Sequence, residues 1–244
     1  MNLLAIDTAT EKFSAALSSG SETWAFFADA GLRHSELLMD VIDMLMKKAA
    51  LKPAELNGVL CMGGPGSFTG LRIGFSTAKG MALPLGIPFM PIPTLDCMAR
   101  PFKQLSQIII PVIDAKQGAF FYAMYKGGQR LCSDKDAVPA DIAISINDAL
   151  LLNSNNVQAQ PLLTGPGATL LYEKLTLLPE YNLIKENIIL GKDLYWGNAE
   201  ILLQIAREDK IFSGKNSDFS SGPEYLRKSD AEKTSLYSEP RNFI

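Results

Sequence analysis

Histidine is almost missing from this chain: His34 is the only one in 244 residues. That removes any metal site built from two imidazoles and leaves little material for a serine–histidine triad. Cysteine is scarce as well. Cys61, Cys97 and Cys132 stand far apart with no C-x-x-C pair. Such spacing excludes a disulfide frame or a zinc knuckle and reads as buried apolar residues in a reducing compartment. No apolar run approaches the roughly 20 residues of a membrane span. The short apolar start meets Asp7 at once, so no signal peptide is expected and the protein is assigned to the cytoplasm. An excess of basic charge is also lacking. A formal net charge of −3 argues against a protein that grips nucleic acid unaided, a local basic patch aside. What is present is ordinary for a soluble globular chain, with 47% hydrophobic and 20% charged residues. The length suits one large domain or two small ones.

The most distinctive stretch is Leu60–Ala82, LCMGGPGSFTGLRIGFSTAKGMA. An apolar strand passes through Gly63-Gly64-Pro65-Gly66 into a helix capped at Ser67 or Thr69. Strand, glycine turn and helix start leave backbone N–H groups free to hold an anion. Gly70, Gly74 and Ala78 recur every four residues and form a small-residue stripe beside Leu71, Phe75 and Ala82. Glycine costs about 1 kcal/mol against alanine inside a helix, so two on one face imply that another backbone comes very close. A phosphate, a packed neighbour, or both would fit.

Strands are expected at Leu3–Ile6, Ser14–Leu17 and Thr23–Phe27, then a loop at Gly31–Ser35 holding His34. The helix Ser35–Ala49 carries Glu36 in its first turn and Lys47 and Lys48 in its last, as the helix dipole favours. Its polar positions lie on one narrow stripe, so its apolar face is wider than a sheet alone would cover. A neighbouring helix or a partner protein would cover the rest. A proline-rich stretch with an edge strand at Phe89–Ile92 follows. Further on come strands at Ile108–Asp114, Phe120–Tyr125 and Pro161–Thr164, and helices at Ala140–Leu152, Ala168–Leu178 and Ala199–Glu208. Asp134-Lys135-Asp136 reads as a solvated loop, Asn153–Gln160 as a polar loop, and the tail from Ser213 as irregular apart from Tyr225-Leu226. One pattern repeats. Leu3–Asp7 followed by a strand is echoed by Ile110–Asp114 followed by a strand. Gly64-Pro65-Gly66-Ser67 is echoed by Gly165-Pro166-Gly167-Ala168 in the same order. Two similar α/β halves meeting near residue 100 are expected, 1–103 and 104–244, with a late helix free to pack back on the first.

The known motifs fail. Thr69-Gly70-Leu71 stands where a P-loop needs its lysine and hydroxyl. Pro65 and Thr69 flank Ser67 where a nucleophile elbow needs glycines, and a dinucleotide fingerprint lacks its third glycine in place. Asp7, Asp96 and Asp114 are candidates for a hydrated magnesium held mainly by a nucleotide, though a strand-end aspartate also caps turns.

Taken together, Leu4–Leu17 (LAIDTATEKFSAAL), His34–Leu38, Gly63–Gly74 (GGPGSFTGLRIG), Asp114-Ala115-Lys116 and Pro223-x-Tyr225-Leu226-Arg227 resemble the TsaB (YeaZ) family of bacterial tRNA threonylcarbamoyladenosine biosynthesis proteins. The resemblance implies a duplicated α/β fold of the actin-like ATPase (ribonuclease H-like) kind, in two lobes. It also implies a non-catalytic partner of the threonylcarbamoyltransferase TsaD, reaching the ATPase TsaE and tRNA only through that complex, and pairing with itself when alone. The implied contact runs through the helices Ser35–Ala49 and Ser67–Ala82, with Leu38, Val41, Ile42, Leu45, Gly70, Leu71, Gly74, Phe75 and Ala78 as interface residues. No cofactor of its own is implied; ATP or ADP with magnesium is left to a complex interface. Asp7, Thr8, Thr10, Gly66 and Ser67 are the residues that would surround phosphates in the alternative reading, a kinase-like ATPase. In the superfamily's first phosphate loop, typically Asp-x-Gly-Thr, this chain has Ala9 for the glycine, which disfavours close backbone approach. A glycoprotease-type peptidase is a third reading, poorly served by a single histidine.

Overall fold

The computed structural model describes residues 1–31, 33–152, 160–178, 187–191, 197–212 and 219–227. Of the expected polar loop at Asn153–Gln160 only Gln160 is among them, and of the expected tail only 219–227. The first half runs β1 (Leu3–Asp7), β2 (Lys12–Ser19), β3 (Glu22–Asp29), α1 (His34–Lys48), β4 (Gly58–Gly64), α2 (Phe68–Leu85), β5 (Phe89–Pro93) and α3 (Thr94–Ala99). The second runs β6 (Ile108–Asp114), β7 (Phe120–Tyr122), β8 (Tyr125–Lys126), β9 (Gln129–Arg130), β10 (Lys135–Ala137), α4 (Pro139–Leu152), β11 (Leu162–Thr164), α5 (Ala168–Thr176), β12 (Ile189–Leu190) and α6 (Ala199–Glu208).

The two halves are built alike. The first sheet has the order β3-β2-β1-β4-β5 and the second β10-β7-β6-β11-β12. In each, the opening strand pairs antiparallel with the next and parallel with the strand before the glycine turn. The repetition extends to side chains. Asp7 accepts a hydrogen bond from the Ala9 amide at 3.0 Å, and Asp114 accepts one from the Lys116 amide at 2.8 Å, so each closes a turn two residues on. The fold is therefore the duplicated, two-lobed α/β arrangement anticipated above.

Strand alternation divides the first lobe's core into two layers. Leu4 and Ile6 face α1 and α2 together with Phe13, Leu38, Ile42, Leu45 and Phe75. Leu3 and Ala5 face the opposite way, toward Leu202, Leu203 and Ala206 of α6. Thus α6, from the second half, covers the first sheet. Reciprocally α3, from the first half, packs Leu95, Met98 and Ala99 against Ile109, Ile113 and Phe121 of the second sheet. The remaining face of that sheet buries Ile110, Val112 and Tyr122 against Ile142, Ile146 and Leu171 of α4 and α5.

Several expectations need correction. His34 is not in a loop: it opens α1 and is buried against Phe13, ring centroids 6.0 Å apart. Lys135 and Asp136 are not loop residues but open the edge strand β10, paired to β7. Phe120–Tyr125 is broken into β7 and β8, which pair with successive stretches of β6. Cys132 is half-buried, unlike Cys61 and Cys97. The short helix α3 carried no sequence signal because three prolines precede it (Pro88, Pro91, Pro93).

The glycine stripe of α2 is explained within the chain. A side chain at Gly70 would collide with the carbonyl oxygen of Thr8, and a Cβ at Gly74 would stand 2.6 Å from the Thr8 hydroxyl oxygen. The neighbour whose close approach the stripe allows is the end of β1. Gly70→Ala is therefore expected to destabilise by about 1–3 kcal/mol, as overpacking does, although alanine at an unconstrained helix position stabilises by about 1 kcal/mol. Urea unfolding checks this; a raised midpoint would contradict it.

Candidate functional site at the interlobe cleft

The turn after β1, the end of β6 at Asp114 and the two glycine turns converge on a cleft of about 560 Å³ between the lobes. Ala9, Thr10, Glu11, His34, Pro65–Gly70 and Ile73 line it from the first lobe. Ile113–Gln117, Phe121, Pro166 and Leu170 line it from the second, and Glu224–Arg227 run along it.

The first glycine turn is closed by the chain itself. The Ser67 amide donates to the Ala9 carbonyl at 2.7 Å, and a Cβ at Gly66 would lie 2.5 Å from that same oxygen. The Ser67 hydroxyl caps α2 by accepting from the Gly70 amide at 3.2 Å. Thr8 is turned away, donating its hydroxyl to the Gly70 carbonyl at 2.7 Å. Of the five residues expected around phosphates, Thr10, Gly66 and Ser67 border the cleft, whereas Asp7 and Thr8 do not. Lobe two repeats the closure: the Gly167 amide donates to Val112 at 2.9 Å.

Asp7 has a structural task. Fully buried, it accepts from the backbone amide of Asn198 at 3.0 Å and from the Asn198 side chain at 2.9 Å. Asn198 is the N-cap of α6, so the carboxylate sits where a helix start favours negative charge. Ser14 Oγ accepts from the Ala199 amide at 3.1 Å beside it. Sequence reasoning missed Asn198 because its partner is far along the chain.

Charge across the cleft is mixed. Lys116 lies 2.9 Å from Asp114 and 3.4 Å from Glu11 of the other lobe; the Glu11 pair is exposed and contributes little. Arg227 is engaged by Asp136. Glu11, Asp114 and Glu224 thus line the cleft, and the Lys and Arg side chains lining it among the described residues, Lys116 and Arg227, are both paired. These residues do not fit a nucleotide triphosphate in this arrangement. The three aspartates considered for magnesium are not brought together. Asp96 instead accepts from the Tyr125 hydroxyl at 2.6 Å and from Arg130, and among the described residues no three His, Cys, Asp or Glu side chains group to hold a metal. His34 Nδ1 is buried and has no hydrogen-bond partner among the described residues.

The nine residues expected at a helical interface are all buried within the chain. They support α1 and α2 from beneath and are not on the outer surface. One flank of α2 carries the half-buried Ile73 and Thr77 and the exposed Gly80 and Pro84, spaced four, three and four residues apart. Among the described residues no atom lies within 4 Å of where a Cβ at Gly80 would stand, so no contact they make requires glycine there.

Burial pushes the Asp7 carboxyl above its ordinary value, and the hydrogen bonds from Ala9 and Asn198 pull it partly back. The folded state therefore takes up the proton more readily than the unfolded chain. This group's contribution to stability is full below the unfolded value and is lost as pH rises through the folded one. A carbon-13 titration of the Asp7 carboxyl is expected to have its midpoint above 3.8; a midpoint below that would contradict the assignment.

Comparison with known proteins agrees with this geometry. The family model described as TsaD, tRNA N6-adenosine threonylcarbamoyltransferase, matches residues 28–177. The tRNA threonylcarbamoyladenosine biosynthesis protein TsaB of Escherichia coli is 33% identical over 128 residues, 52% of this chain and 55% of the relative. TsaB of Bacillus subtilis is 30% identical over 146 residues, 58% of this chain and 64% of the relative. The match thus spans less than two thirds of either relative. The solved structure of YeaZ from Pseudomonas aeruginosa shares the fold with a TM-score of 0.72 at 22% identity, covering 92% of this chain and 99% of that one. The chain belongs to the family that the threonylcarbamoyltransferase model describes, and within it to the TsaB/YeaZ group.

Proposed function

We propose that this chain takes part in forming threonylcarbamoyladenosine in tRNA, beside the anticodon, as the non-catalytic partner of a TsaD-type threonylcarbamoyltransferase. The observation that carries this reading is the closed phosphate turn. The Ala9 carbonyl holds the Ser67 amide, and Asp7 is committed to Asn198, so the groups an ATPase of this fold would turn on a nucleotide serve the chain's own packing. A family member without that machinery is of most use as a binding subunit. In this reading a TsaE-type ATPase and tRNA reach the chain only through the TsaD-type partner, any nucleotide and magnesium belong to the interface, and copies pair with one another when the partner is absent.

The outer seam of α1 and α2 is the surface we assign to the partner. On α1 it offers Leu37 and Met44, one heptad apart, and on α2 the flank of Ile73, Thr77, Gly80 and Pro84. Its geometry supports helix-on-helix contact, and the bare Gly80 lets a second backbone approach. Gly80→Lys is expected to leave unfolding unchanged or raise stability by up to about 1 kcal/mol, while weakening association with the TsaD-type partner at least tenfold. Unaltered association would remove this surface from the assignment. The role itself is tested by reconstitution. The TsaD-type enzyme, the TsaE-type ATPase, threonylcarbamoyl-adenylate and unmodified tRNA are combined with and without this chain. Modification is expected only with it; equal modification without it would overturn the proposal.

A further inference from the structure

The segment 219–227 has no regular secondary structure, yet it is fastened at both ends and in the middle. On the first lobe, Lys79 of α2 donates to the Phe219 carbonyl at 2.8 Å and to the carbonyl of Ser221. The Phe219 ring stacks on Phe89, centroids 6.1 Å apart. The Glu224 amide donates to the Gly63 carbonyl at 2.8 Å. Tyr225 lies on Phe68 at 4.5 Å, with the Arg72 guanidinium 3.9 Å from the Phe68 ring centre and its Nε donating to the Tyr225 hydroxyl at 3.2 Å. Two residues later the same segment grips the second lobe. Leu226 packs with the α3 and β6 cluster. Arg227 binds Asp136 through both Nε and Nη2, at 2.7 and 2.6 Å, and donates from Nη1 to the Ala115 carbonyl at 3.0 Å.

Position gives these contacts leverage. The lobes are already joined by the exchanged helices α3 and α6. Those helices border a second crevice, with Asp96, Ala99, Arg100, Ile205 and Asp209 in its wall, and not the main cleft. Glu224–Arg227 line the main cleft itself. One side of the molecule is thus a hinge, and the other is spanned by a strap whose anchors lie on separate lobes.

We propose that 219–227 is a clasp that holds the lobes at one angle and keeps the main cleft narrow. Because it has no regular secondary structure, it depends on its anchors and is the part of the contact most readily released. The bidentate Arg227–Asp136 pair supplies direction as well as attraction, and the Tyr225–Phe68–Arg72 stack supplies the apolar hold. When the clasp lets go, the cleft opens about the α3–α6 hinge. The inference concerns the isolated chain and does not depend on any partner.

Spin labels at Ala54→Cys on the first lobe and Lys174→Cys on the second, in a Cys132→Ser background, report the interlobe distance. Both positions are exposed, and the remaining cysteines are buried. The parent is expected to give one narrow distance distribution. Tyr225→Ala combined with Arg227→Ala is expected to lengthen and broaden it, and to speed hydrogen exchange at the Glu224 amide at least tenfold, with cooperative unfolding retained. Faster exchange with an unchanged distance would make the segment a surface tail and overturn the proposal. Unchanged exchange would overturn it as well, since the anchors would not be what holds it. If the double variant fails to fold, Asp136→Asn is read the same way, with a smaller widening expected and no widening counting against the clasp.

Discussion

Most of the first lobe depends on how the end of β1 meets the start of α2. Thr8 and Ala9 present two successive carbonyls to Gly70 and to Gly66–Ser67, and the Thr8 hydroxyl donates back to the Gly70 carbonyl. This backbone-on-backbone contact admits no side chain at 66 or 70, the Thr8 hydroxyl crowds position 74, and together they anchor α2 over β1. The same contact fills the turn that a phosphate would need. The packing of α2 and the closure of this turn are two consequences of one arrangement. Asp7 completes it from the other face by receiving the start of α6.

The duplicated frame explains why the molecule holds together around a cleft. Each half builds a sheet of the same order, and each lends a helix to the other's sheet: α3 to the second, α6 to the first. Such an exchange keeps the lobes joined on that side, because neither lobe completes its core alone. Among the described residues, the exposed Lys116–Glu11 pair and the 219–227 segment bridge the far side of the cleft.

Much of this was legible in the chain. Strand alternation around Leu3–Asp7 and Ser14–Leu17, the helix signals at Glu36 and Lys47, and the repeated Asp and Gly-Pro-Gly landmarks are local, and local rules read them. The small-residue stripe was legible as a demand for close approach, but not as to which backbone answers it. Thr8 lies far from Gly70 in sequence, so a buried stripe and an interface stripe look the same. Burial then moved Leu38, Val41, Ile42 and Leu45 from the expected interface into the core and left Gly80 as the unexplained glycine. His34, β10 and the clasp were missed for a related reason. Asp136 looks solvated until Arg227, from the other end of the lobe, is laid against it.

In the proposed reading, this chain's phosphate turn is closed by its own backbone and the chain works as a binding subunit. Calorimetric titration of magnesium-ATP into the isolated, monodisperse protein tests it most directly. No saturable heat and no turnover are expected. Sub-millimolar binding that is lost in Asp7→Ala, or steady release of phosphate, would contradict it and return the chain to the kinase-like ATPases.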